Sequence, residues 1–216
     1  MKTTFKNEWP SILITALPFL YLAYVWKSLP EKVPIHWNMA GEIDRYGSKT
    51  ELLLIPFVLP LLTYLIFLAV PYIDPKKQIK KMGKKYHQLK LVFVFFTSII
   101  ALYIIYASSV SSLTSVKIMY IGVALLITIL GNYMQSIKPN YFIGFRTPWT
   151  LESNDVWKLT HRLAGRLFVV GGLVMALLAF FLNNTMLFWT LIVIITIITL
   201  IPLIYSYLKF KDLESG

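Results

Sequence analysis

The chain contains no cysteine, which excludes disulfides, thiolate metal sites and a cysteine nucleophile together. It also has no glycine-rich phosphate loop, no paired-histidine zinc helix and no serine elbow, the local patterns of nucleotide binding, zinc proteolysis and α/β-hydrolase chemistry. Acidic residues are scarce, 10 against 21 Lys and Arg, and the net charge is +11. That surplus calls for no nucleic acid, because anionic headgroups on a cytoplasmic leaflet attract basic juxtamembrane segments. No Asp, Glu, Lys or Arg falls near the centre of any long apolar run. Pumps and proton-coupled transporters usually carry ionisable groups there, so secondary transport is disfavoured, and the lack of an internal repeat weakens it further. Channels and carriers of uncharged substrates stay open.

What the chain has is apolar length. Hydrophobic residues make up 57% of 216 and the mean hydropathy is +0.66, too apolar for an ordinary soluble domain. Uncharged runs cover 9–26, 52–73, 91–116, 118–137 and 167–208, the last interrupted by Asn183 and Asn184. A spanning helix needs about 20 residues, so the last run is two helices joined at those asparagines. The fold class is all-α, a polytopic membrane protein with six transmembrane helices. The first run is read as a retained helix, because Pro18 interrupts it and no small-residue cleavage pattern follows. Of the basic residues, only Lys27, Lys32, Arg45, Lys49 and Lys117 fall on one side of the expected topology, which places both termini in the cytoplasm. Residues 1–73 form a first hairpin with an outer loop at 28–51. Residues 74–216 form a four-helix region with a basic loop at 74–90.

In the outer loop, Pro30 and Pro34 favour extended chain, and turns are expected at Asn38–Gly41 and Asp44–Gly47. His36, Glu42 and Asp44 match no specific metal spacing, and a structural hydrogen-bonding role for His36 is favoured. Trp37 and the carboxylates suit contact with a ligand. Pro56 and Pro60 share one face of the second helix, and their missing donors make its outer half irregular. The lysines of 74–90 either face lipid or, through Lys80, Lys81, Lys84 and Lys85, dock an acidic cytoplasmic protein. The turn at 108–115 is rich in Ser and Thr, which can satisfy backbone groups at the interface.

The densest side-chain chemistry lies at 131–166: Asn140, Gly144, Arg146, Thr147, Pro148, Trp149, Trp157, His161, Arg162 and Arg166. Ser153 is a good N-cap for a helix beginning near Asn154, which is expected to lie in the interface and turn into the fifth span near Gly165. Arginine suits a carboxylate or phosphate, and Trp149 offers it a ring face. Two readings are open: an anion site built on Arg146, Arg162 and Arg166, or an interfacial loop tied by them to lipid phosphate and to Glu152 and Asp155. Gly171 and Gly172 in the fifth span permit close helix approach. The tail from Lys209 is expected to fray.

Two stretches resemble the SdpI-type immunity proteins of Gram-positive bacteria. The outer loop LPEKVPIHWNMAGEIDRYGSKTELLLIP is similar to the small domain at their start. The stretch with Asn140, the core of Ile143, Gly144, Arg146, Thr147, Pro148, Trp149 and Thr150, and the helix with Trp157, His161 and Arg162 resembles their C-terminal signature. The resemblance implies a bacterial plasma-membrane protein, not an enzyme and without a cofactor, that protects its producer from a secreted peptide toxin. It further implies a receptor that holds a cytoplasmic transcriptional repressor at the membrane. On that reading His36, Trp37, Asn38, Glu42, Asp44, Arg45 and Tyr46 meet toxin, while 131–166 and the lysine loop form the inner surface. The alternative from another class is a transporter or lipid-modifying enzyme with its anion site in the Arg146–Arg166 region.

Overall fold

A computed structural model describes residues 5–110 and 116–214; most of the expected Ser/Thr turn at 108–115 therefore lies outside the described residues. Among them, six helices are long and apolar enough to cross a membrane: α1 (Phe5–Val25), α2 (Lys49–Ile73), α4 (Lys84–Ser109), α5 (Val116–Met134), α7 (Asn154–Leu178) and α8 (Asn184–Glu214). Short helices α3 (Gln78–Lys81) and α6 (Pro148–Glu152) sit in connections. The chain is an all-α polytopic membrane protein with one addition, an antiparallel hairpin of β1 (Lys32–Trp37) and β2 (Ile43–Ser48) between α1 and α2.

Three local expectations change. The helix from Asn154 runs unbroken to Leu178, because Gly165 is buried in helix packing and marks no turn. The stretch Asp44–Gly47 is strand, since it pairs with Val33–His36 across the hairpin. The C-terminal tail is helical to Glu214, with Lys209 and Asp212 paired one turn apart at 2.9 Å.

The chain divides into two compact units, Met1–Ala69 with His87–Met119 and Val70–Tyr86 with Tyr120–Gly216. In the first, the hairpin is anchored by burial. Val33 is fully buried with Leu22, Val25, Leu29, Leu52 and Ile105, and the Ser108 hydroxyl donates to the Pro34 carbonyl at 2.8 Å. Helix α2 opens with a 3-10 turn at Lys49–Leu53, capped by the Ser48 hydroxyl and the Glu51 carboxylate, and holds a π turn at Phe57–Leu61. The irregularity coincides with Pro56 and Pro60, which donate no backbone hydrogen bond.

The same unit holds a buried ion pair that the hydropathy runs conceal. Glu8 lies within α1 and Lys90 within α4, and they are 6% and 2% exposed. Lys90 Nζ donates to Glu8 Oε2, as does the Tyr64 hydroxyl at 3.1 Å, and Lys90 also stands 5.4 Å from the Tyr64 ring centre. Buried charges persist only when paired and hydrogen-bonded.

In the second unit, helices meet at glycine. A Cβ on Gly165 would stand 2.8 Å from the Gly131 carbonyl oxygen, and one on Gly172 would stand 2.6 Å from the Ala124 carbonyl, so α5 and α7 approach backbone to backbone. A Cβ on Gly171 would instead meet Ile198 and Ile194 of α8. The glycine pair thus serves two neighbours.

Lys90→Ala leaves Glu8 as an uncompensated buried charge and is expected to cost about 3–5 kcal/mol, whereas Glu8→Gln with Lys90→Met should recover most of that loss. Unfolding of the purified protein in detergent, followed by circular dichroism, checks both. By the same assay Gly172→Ala should cost about 1–3 kcal/mol by overpacking against backbone. Gly171→Ala should cost less, because the obstacles are isoleucine methyls.

Candidate functional site

The loop between α5 and α7 is built by its own side chains. Asn140 is fully buried, and its amide makes four bonds: Oδ1 accepts from Phe142 and Ile143 at 2.7 and 2.8 Å, while Nδ2 donates to the carbonyls of Lys138 and Ile143 at 2.7 and 3.2 Å. A compact polar side chain with two donors and an acceptor oxygen takes the place of secondary structure there. Thr147 caps α6, with Pro148 in the first turn where a missing N–H costs nothing, and the Thr150 hydroxyl reaches back to the Phe145 carbonyl at 2.8 Å.

His161 locks this loop to α7. The Phe145 N–H can only donate, so Nε2 accepts it at 3.1 Å, the ring is neutral, and Nδ1 donates to the Trp157 carbonyl at 2.9 Å. The ring stacks on Trp157 at 4.1 Å, and Trp157 Nε1 donates to the Ile137 carbonyl at 2.8 Å. Gly144 has φ of 101°, a left-handed conformation that favours glycine, and an added Cβ would collide with the His161 ring. Trp149 Nε1 donates to Ser206 of α8, and its ring meets Tyr207 edge-on.

Cations are prominent among the side chains that face outward here, beside exposed Tyr141, Glu152 and Asp155. Arg146, Arg162 and Arg166 are exposed. Arg146 Nη1 donates to the Tyr141 carbonyl at 2.6 Å, which holds the guanidinium beside the loop. Lys76 joins from the basic connection, donating to the Leu151 carbonyl at 3.2 Å with its ammonium 4.9 Å from the Tyr141 ring centre. In that connection Lys80 sits over Tyr72, Lys85 lies near Tyr133, and Lys81, Lys84 and Lys85 are exposed. Asp155 pairs with Lys158 at 3.3 Å.

The β1–β2 hairpin displays a second group. Asn38 Oδ1 accepts from the Ala40 and Glu42 N–H groups at 3.0 Å, its amide donates to the Glu42 carboxylate at 3.0 Å, and Gly41 takes φ of 89° to complete the turn. His36 Nδ1 meets Asp44 Oδ1 at 2.6 Å across the strands. Both are exposed, so the pair adds little stability. Arg45 and Tyr46 are exposed, Trp37 is half-buried, and an apolar recess of 310 Å³ is lined by Phe19, Leu22, Ala23, Trp26, Leu53, Pro56 and Phe57 of the same unit.

Sequence reasoning missed Glu8, Tyr64 and Lys90, which sit at the edges of apolar runs or inside one. Glu8 is the lone acid of its span, but three lysines, Lys84, Lys85 and Lys90, open α4, and nothing along the chain singles out Lys90 as its partner. It also missed Asp74, 2% exposed, whose carboxylate accepts from the Lys76 and Ile79 N–H groups at 3.2 and 3.0 Å and so folds the start of the basic connection.

Asn140→Ala should destabilise the protein by about 1–3 kcal/mol, because buried backbone groups lose their partners. Arg162→Ala and Arg166→Ala should stay within about 0.5 kcal/mol. Thermal unfolding in detergent separates the two classes.

Residues 136–206 match the SdpI/YfhL protein family, and residues 13–59 match a domain of unknown function, DUF1648. The immunity protein SdpI of Bacillus subtilis (strain 168) is 30% identical over 213 residues, 98% of this chain and 99% of that protein. An uncharacterised protein of Archaeoglobus fulgidus is 44% identical over 48 residues, 22% of this chain and 26% of its own length. No solved structure matches the chain. The likeness to the Bacillus protein runs from one end of the chain to the other, and the chain belongs to the SdpI family.

Proposed function

We propose that this protein is an immunity protein of the bacterial plasma membrane, protecting its producer from a secreted antimicrobial peptide. The observation that carries this reading is the full-length likeness to the Bacillus immunity protein, which takes in the outer hairpin, the membrane helices and the inner loop alike. Both termini and the lysine-rich connection face the cytoplasm, in keeping with where basic residues concentrate.

On this reading the hairpin is the toxin-facing surface. Its exposed His36, Asp44, Arg45 and Tyr46, with Trp37, Asn38 and Glu42 beside them, offer charge of both signs and aromatic area. The apolar recess in the same unit suits an apolar side chain of a peptide that enters the outer leaflet. The inner face, with Lys80, Lys81, Lys84 and Lys85 in the same unit as Arg146, Arg162 and Arg166, suits an acidic cytoplasmic partner, and a transcriptional repressor sequestered there would couple toxin sensing to expression.

A sensitive bacterium expressing this chain should survive the peptide toxins encoded by its own source genome. His36→Ala with Trp37→Ala, at equal membrane abundance, should lose about tenfold or more of that protection if those side chains contribute hot-spot contacts. No protection by a correctly inserted parent against any such toxin would overturn the proposal and direct attention to anionic lipids at the arginine loop.

A further inference from the structure

Helices α1 and α4 of the first unit are linked at two levels, reached in the same order along each helix. Glu8 meets Lys90 at one end. Leu22, fourteen residues after Glu8, and Ile105, fifteen after Lys90, belong to one buried cluster with Val33 of the hairpin. Equal rise along both helices between these levels brings residues at equal offsets to similar heights. Thr15 is seven residues after Glu8 and Ser98 eight after Lys90, so at about 1.5 Å per residue both stand roughly 10–12 Å above the ion pair. Ser11 lies between, one turn from Glu8 on the same face of α1.

These hydroxyls, like that of Thr160 in the second unit, depart from the habit of several other helical threonines. Thr97, Thr128, Thr196 and Thr199 each donate to the carbonyl four residues back, at 2.6–2.9 Å, the ordinary way a helix satisfies a hydroxyl in an apolar setting. Ser11, Thr15 and Ser98 are 0%, 5% and 2% exposed, and their oxygens have no hydrogen-bond partner among the described residues. Glu8 Oε1 is buried and likewise unpartnered by any hydrogen bond, with His87 Nδ1 at 3.9 Å. An unpaired carboxylate oxygen requires a donor, and hydroxyls that leave their own carbonyls require a partner able to give and accept. The α4 side chains on this face between Lys90 and Ile105 include Val94 and Ala101, both buried and small.

We propose that the first unit encloses a hydrated polar site whose ligand is water. It begins at Glu8, Lys90 and Tyr64, passes Ser11, reaches Thr15 and Ser98, and is stopped beyond them by the apolar cluster of Leu22, Val25 and Ile105. Water offers both donors and acceptors, and roughly two to four polar partners suffice to hold each molecule. The site gives the ion pair contact with exchanging solvent while the apolar cluster keeps the membrane sealed. It rests on side chains outside both the hairpin surface and the arginine loop, and is independent of the immunity reading.

The cysteine-free background supplies a small probe. In Thr15→Cys and Ser98→Cys variants, reconstituted in lipid vesicles and transferred to heavy water, the single S–H stretch reports whether water reaches the thiol. Conversion to S–D should be at least about tenfold faster than in Ile105→Cys and Leu187→Cys, buried in apolar surroundings. X-ray radiolysis of the unaltered chain, which makes hydroxyl radicals from bound water in place, should oxidise Tyr64 and Val94 well before Ile105 and Leu187, and decides the matter should a variant not fold. Exchange at the control rate in both variants, with Tyr64 and Val94 no more oxidised than Ile105, would overturn the proposal.

Discussion

Hydrocarbon offers a polar group no hydrogen-bond partner, and each feature of this chain that departs from plain helix is a response to that constraint. The loop after α5 contains almost no regular backbone pairing, so Asn140 replaces it with four bonds of its own. Trp157 can be fully buried because its indole N–H reaches the Ile137 carbonyl, and His161 because both ring nitrogens are used. In the first unit, Glu8 and Lys90 neutralise one another with Tyr64 as a third partner. Where helices pack without a large apolar driving force, Gly131, Gly165 and Gly172 replace it with close backbone contact.

The same constraint sorts the family signature into two kinds of residue. Asn140, Gly144, Thr147, Trp157 and His161 face inward and form a self-consistent set: the ring of His161 requires Gly144, and the Phe145 N–H requires His161. Their role is to shape the loop. Arg146, Arg162 and Arg166 face outward with exposed Tyr141, Glu152 and Asp155 beside them, and together with the exposed lysines of the basic connection they are the side chains displayed there. The hairpin repeats the division, with Val33 buried as its anchor and His36, Asp44, Arg45 and Tyr46 displayed.

Within α2, irregular backbone falls where proline or a cap accounts for it. The π turn at Phe57–Leu61 carries Pro60 and follows Pro56, and the 3-10 turn before it is closed by Ser48 and Glu51. This places the mismatch in helix periodicity in the N-terminal half of α2, beside the recess that Leu53, Pro56 and Phe57 help to line.

By itself the sequence determined the class of the protein, the number of spans and the start of α7 at its Ser153 cap, because apolar run length and capping chemistry are local properties. It also determined which segments carry polar chemistry, since hydrocarbon excludes them from the spans. Only the tertiary structure decided that Gly165 continues a helix, that Asp44–Gly47 is strand, and that Glu8 and Lys90 meet across 82 positions. Turn, strand and helix propensities there are weak, and packing against a neighbour outweighs them. Pairing of two charges is a property of distance in space, and no spacing along the chain encodes it.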